Sequence, residues 1–175
     1  MKRIIISAAA ILAAACSPAP SGDTSSQSAS SPGGAVPESF AANTSVVFAG
    51  EKALELTEPC SRAAPAPVEG SWTPGDADIA AMEPALATLV AEQLAAQRPN
   101  ANDVAVEDYH RQYGGLIVGG RRIIAVNGFR LSEYDDLAAW RSFPHTICDG
   151  GVIMFGVEYD PATRQFRNFA FNGPF

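Results

Sequence analysis

From about residue 44 the chain alternates short apolar runs with polar breaks, and the spacing of those runs predicts helix in one place and strand in most others. Ser45-Val46-Val47-Phe48 predicts a short edge strand, and Leu54 and Leu56 flanking Glu55 predict a second extended segment. The main helix is predicted to start at Thr73, with Thr73 as cap, Pro74 in the first turn and Asp76 returning a capping contact. Ile79, Met82, Leu86, Leu89, Val90 and Leu94 then recur at spacings of three and four, which places them on one face suited to covering a sheet. Pro84 lies inside this stripe; it lacks an N–H and crowds the preceding turn, so a kink or break is expected there. Arg98-Pro99-Asn100 ends the segment.

After Asp103 the period changes from that of a helix to that of a strand. Tyr109, Arg111 and Tyr113 alternate with His110 and Gln112, and Gly114-Gly115 leads to Leu116-Ile117-Val118. Gly119-Gly120 predicts a tight turn, from which Arg121 to Val126 returns. Ser132 to Trp140 reads as a short helix, with Tyr134, Leu137 and Trp140 sharing a face. Val152–Tyr159 and Arg164–Phe171 predict a final hairpin around Asp160-Pro161-Ala162-Thr163. Phe155, Val157 and Tyr159 fall on one face of its first strand and Phe169 and Phe171 on one face of its second, while Phe166 and Phe171 fall on opposite faces. Hairpins with helices set to one side predict an α+β fold: a kinked helix packed on a four- to five-stranded antiparallel sheet, spanning residues 44–175. The strand–DPxT–strand hairpin resembles that of many small exported bacterial domains, including the PepSY type.

The first residues follow a different logic. Lys2 and Arg3 precede an apolar run from Ile4 to Ala15, interrupted in polarity by Ser7, and Cys16 follows Leu12-Ala13-Ala14-Ala15. A charged start, an apolar stretch of about a dozen residues and small residues at the cut describe a signal peptide over residues 1–15, since a bilayer span needs roughly 20. A cysteine directly after small residues resembles the lipobox of bacterial lipoproteins, although Leu12 lies one position further from the cysteine than the family's usual leucine. The resemblance implies acylation of Cys16 and membrane attachment through lipid. With Ser17 rather than aspartate after the cysteine, it implies the outer membrane, facing the periplasm. Residues 16–43 are rich in Ser, Pro, Ala and Gly and are expected to form a disordered tether averaging roughly 30 Å end to end.

Charge narrows the list of partners. The formal charge is −7 and becomes −9 once Lys2 and Arg3 leave with the signal peptide. So acidic a chain argues against nucleic acid, whose phosphates require a basic surface. A protein partner is expected to be basic, and muramidases and other basic secreted enzymes fit. Cys60 and Cys148 form an even pair in an exported chain, which predicts one disulfide.

Candidate chemistry is sparse. There are two histidines, His110 and His145, and no G-x-S-x-G nucleophile elbow. His145 and Cys148 are three apart, but the cysteines and histidines lack the short paired spacings of structural zinc, so no metal site and no cofactor are expected. The glycine pairs match neither a dinucleotide fingerprint nor a P-loop. The reading is therefore a lipid-anchored, non-catalytic binding or inhibitor domain, with a small periplasmic hydrolase using His110 or His145 as the alternative. Phe143, His145 and Asp149, in the loop leading to the last hairpin, are the candidate partner surface, because a bond at Cys148 would limit the ordering cost of that loop.

Overall fold

The computed structural model describes residues 39–57, 63–65, 67–97, 104–132 and 138–173. These lie in one compact unit, Val36–Phe175. Its described elements run β1 (Ser45–Phe48), α1 (Glu51–Glu55), β2 (Val68–Trp72), α2 (Asp76–Gln97), β3 (His110–Val118), β4 (Arg121–Phe129), β5 (Met154–Asp160) and β6 (Gln165–Phe171). The fold is α+β, with one long helix packed on a mixed sheet.

The sheet has six strands, and one pair is parallel. Its order is β1-β3-β4-β5-β6, with β2 pairing a different stretch of β3. β1 runs parallel to the first half of β3, Ser45 opposite Arg111 through Phe48 opposite Gly114. β2 runs antiparallel to the second half, Trp72 opposite Gly115. A wholly antiparallel sheet of four or five strands is thereby corrected. The segment between β1 and β3 is a crossover containing α1, β2 and α2, and such a connection brings the chain back in its original direction.

Two further expectations change. The Leu54–Leu56 segment is the helical turn α1, not a strand: Glu51, Lys52, Ala53 and Leu54 are all good helix formers, and a three-residue alternation is too short to oppose them. β2 has little strand signal of its own, with Glu69, Gly70 and Ser71 at its centre. It is fixed instead by Trp72, whose Nε1–H is shared between the carbonyls of Leu116 at 3.1 Å and Ile123 at 3.2 Å. Gly115 permits that approach, since a Cβ there would lie 2.8 Å from Trp72 Nε1 and 2.9 Å from Pro74 Cδ.

α2 starts later than Thr73. Gly75 caps it: its carbonyl accepts from the N–H groups of Asp78 and Ile79, and Asp78 Oδ2 accepts from Gly75 N–H at 2.9 Å. Thr73 and Pro74 are used in turning the chain out of β2. The helix passes Pro84 without a break. An interior proline costs about 3 kcal/mol, whereas each fully buried large apolar side chain contributes about 1.5–3 kcal/mol. Met82 and Leu86, on either side of Pro84, are fully buried, as is Val90. α2 is also the one described helix with the length and apolarity of a membrane span, but its stripe packs against Tyr109, Tyr113, Val126, Phe155 and Val157, which makes it a core helix.

Gly119 and Gly120, at φ 57° and 71°, form the two-residue turn between β3 and β4. In the last hairpin Asp160 Oδ1 accepts from the N–H groups of Ala162 and Thr163, the Asx geometry that favours this turn. The register slips between Gly156 and Glu158, and Asn168 stands at φ 55°. This bulge inserts one residue, so Phe166, Phe169 and Phe171 all pack on the α2 side. The opposite-face placement of Phe166 and Phe171 is corrected by that single insertion. Phe169 stacks on Phe155 at 5.4 Å and Phe166 meets Tyr159 at 4.8 Å.

Candidate partner-facing site

The sheet face turned away from α2 carries the rows His110, Gln112, Gly114 and Leu116 on β3 and Ile123, Ala125, Asn127 and Phe129 on β4. α1 covers one part of it, where Gly114 admits Ala53 and Leu56. The described loop 138–150 covers another, burying Trp140 against Phe129 and Met154. The expected helix from Ser132 to Trp140 lies partly outside the described residues; what is described is a 3-10 turn at Ala139–Arg141.

This loop is held by its backbone. Gln112, 0% exposed, donates from Nε2 to the carbonyls of Trp140 at 2.6 Å and Phe143 at 2.8 Å. Its Oε1 accepts from His145 N–H at 2.9 Å. Asn127, directly across the ladder, donates to His145 O at 2.5 Å. Lys52 Nζ donates to Ser142 O at 2.7 Å, and Asn172 Nδ2 donates to Ile147 O. Side chains from α1, β3, β4 and the residue after β6 thus hold five carbonyls of one short stretch.

Against that fixed backbone, Phe143 points outward. At 64% exposure it is the single exposed large apolar side chain among the described residues. Lys52 Nζ lies 5.2 Å from the centre of its ring, and Arg141 stacks on Trp140 at 4.3 Å. Arg141 also donates to the carbonyls of Asn43 and Ser45, so the entry of the chain into the domain lies beside this loop. Contacts begin before residue 44: the ring of Phe40 covers the guanidinium of Arg111 at 4.2 Å, and Arg111 is paired with Glu83 at 2.6 Å.

The three residues proposed for the surface occupy different positions on it. Phe143 is exposed, and His145 is half-buried with its ring 4.4 Å from that of Phe129. Asp149 is exposed four residues further on. His110 also packs on Phe129, at 6.0 Å, and on Trp140, at 4.9 Å. The two histidines thus converge on an aromatic ring. Burial holds the His110 imidazole below its ordinary range, and the charges of Arg111 and then Arg141 press it further down against a weaker backbone bond from Asp108. The two charges that bear on it, those of Arg111 and Arg141, are both cations.

Tyr109 and Tyr113 are pushed well above the ordinary phenol range, in each case by burial first. Tyr113 O–H donates to Glu83 Oε1 at 2.7 Å and Tyr109 O–H to Val152 O, which are core roles. Among the described residues no three His, Cys, Asp or Glu side chains gather closely enough to hold a metal ion. Cys16 and Cys60 lie outside the described residues, so acylation and the Cys60–Cys148 bond stand as proposals.

Gln112, Asn127 and Lys52 are the site residues that motif reading passes over. A signal was present for two of them: the two-residue period puts Asn127 in a row with Ala125 and Phe129, and Gln112 in a row with Leu116, and a polar side chain in an inward row needs a partner. No protein-family model, no curated protein and no solved structure matches the chain.

Proposed function

We propose that this chain is a lipid-anchored, non-catalytic binding domain of the bacterial envelope, attached through Cys16 and facing the periplasm. It presents Phe143 to a protein partner. The observation that carries the reading is an exposed phenylalanine on a loop with five backbone carbonyls held by side chains from elsewhere in the fold. A side chain held ready on a fixed backbone loses little entropy on docking, which is what an interface anchor requires. The acidic charge of the whole chain favours a basic partner at long range. Lys52 and Arg141 favour an acidic rim around the pocket that receives Phe143. Inhibition of a muramidase is the preferred specific form. The test is an inhibition and binding assay with lysozyme-type enzymes, repeated with Phe143→Ala. Binding that weakens tenfold or more in the variant supports the reading; no binding by the native chain removes the inhibitor form, and equal binding by the variant moves the interface elsewhere.

A further inference from the structure

A groove of about 490 Å³ lies between the C-terminal end of α2 and the end of β6. Its walls include Gln93 and Gln97 on the helix and Phe169, Phe171, Asn172 and Gly173 on the strand side. That volume is within the range of about 300–1,000 Å³ that accommodates small ligands. Among the described residues, no charged side chain lines it. A phosphate, a carboxylate or a cation finds no counter-charge on these described walls to offset its lost hydration.

What the walls offer is a set of neutral donors and acceptors beside aromatic carbon. Gln93 and Gln97 are one helical turn apart on the same face, each with an amide carrying two donors and an acceptor. Neither amide is hydrogen-bonded to another described residue. β6 is the outer strand of the sheet, and Asn172 N–H bonds inward to Met154 O at 2.9 Å. By the alternation of an antiparallel ladder, the N–H and C=O of Phe171 then point outward from the edge. The Phe169 and Phe171 rings, 5.1 Å apart and nearly perpendicular, supply both a face and an edge.

We infer that this groove binds an uncharged saccharide. Hydroxyl groups act as donor and acceptor together, as do the two amides and the strand edge, and the C–H face of a pyranose suits an aromatic ring. An extended peptide added to the edge is the weaker fit, because the bulge at Asn168 limits the regular edge to the last few residues of β6.

The experiment uses the full chain in a zwitterionic detergent, with saturation-transfer NMR from the protein aromatic protons. The probes are chitobiose as an N-acetylated glycan, cellobiose as a non-acetylated one and an uncharged capped heptapeptide. The expected result is saturation of the ring protons of at least one disaccharide. It should fall at least fivefold in a Gln93→Ala/Gln97→Ala variant whose circular dichroism and Tm match the parent, and persist in Phe143→Ala. Preference between the two sugars distinguishes an acetylated cell-wall-type glycan from other neutral glycans. Saturation of neither sugar, full retention in the double glutamine variant, loss in Phe143→Ala, or saturation of the peptide alone would each overturn the assignment.

Discussion

Gln112 and Asn127 face each other across β3 and β4, and the Asn127 amide donates to Gln112 Oε1 at 3.3 Å. Together the two amides hold the carbonyls of Trp140, Phe143 and His145 and the N–H of His145. Gln112→Leu keeps the bulk but removes the donors for two carbonyls and the acceptor for two N–H groups, the His145 backbone and the Asn127 amide. A loss of about 1–3 kcal/mol is expected, since a relaxing loop regains some bonds from water. Urea unfolding measures the loss, and hydrogen exchange at His145 should accelerate; unchanged protection there would show that the loop is held by other contacts.

Gly115 and Gly128 should be intolerant of a single added methyl. At Gly115 the new Cβ meets Trp72, and at Gly128 it runs into the ring of Phe155. Overpacking of this kind costs about 1–3 kcal/mol. Gly70 is the control: it lies in β2 with open space at its Cβ position, so Gly70→Ala should be neutral or stabilising by up to about 1 kcal/mol. Thermal melts of the three variants test the contrast, and equal losses at Gly70 and Gly128 would contradict it.

Stability should fall as pH drops through the ordinary histidine range. The folded state binds the His110 proton less readily than the unfolded chain, because burial and two arginines oppose it. Between the depressed folded value and the unfolded value near 6.5, the unfolded chain takes up a proton that the folded one refuses. The contribution is therefore complete above the unfolded value and lost below the folded one. Denaturant midpoints at a series of pH values, compared with those of His110→Gln, check this; an identical pH slope in the variant would assign the effect to other groups.

The proposed Cys60–Cys148 bond would close a loop of nearly ninety residues, for which chain entropy gives roughly 4 kcal/mol. Cys148→Ser should lower stability by up to that amount, and peptide mapping without reductant should recover the two cysteines in one linked fragment. Two alkylatable thiols in the purified native chain would disprove the bond.

Local rules carried far in this sequence where the signal was itself local. The α2 stripe, the Gly119-Gly120 turn and the Asp160 turn all depend on neighbours within a few residues, and all appear in the structure. β2 did not announce itself, because it owes its place to Trp72 reaching carbonyls on β3 and β4 that are distant in sequence. The direction of β1 depends on the whole crossover that follows it, which no window of a dozen residues contains. At the site, the loop from Phe143 to Asp149 was legible from composition. The side-chain hydrogen bonds that hold it were not, because Gln112, Asn127, Lys52 and Asn172 reach it from four separate parts of the chain.

The bulge at Asn168 has a consequence for the molecule among its neighbours. β6 closes one side of the sheet, and a long regular strand in that position would present an open row of backbone groups to any second copy. One inserted residue at positive φ interrupts the row near its middle. Extended pairing of two chains along the whole of β6 is thereby disfavoured, at the cost of one asparagine held in a left-handed conformation.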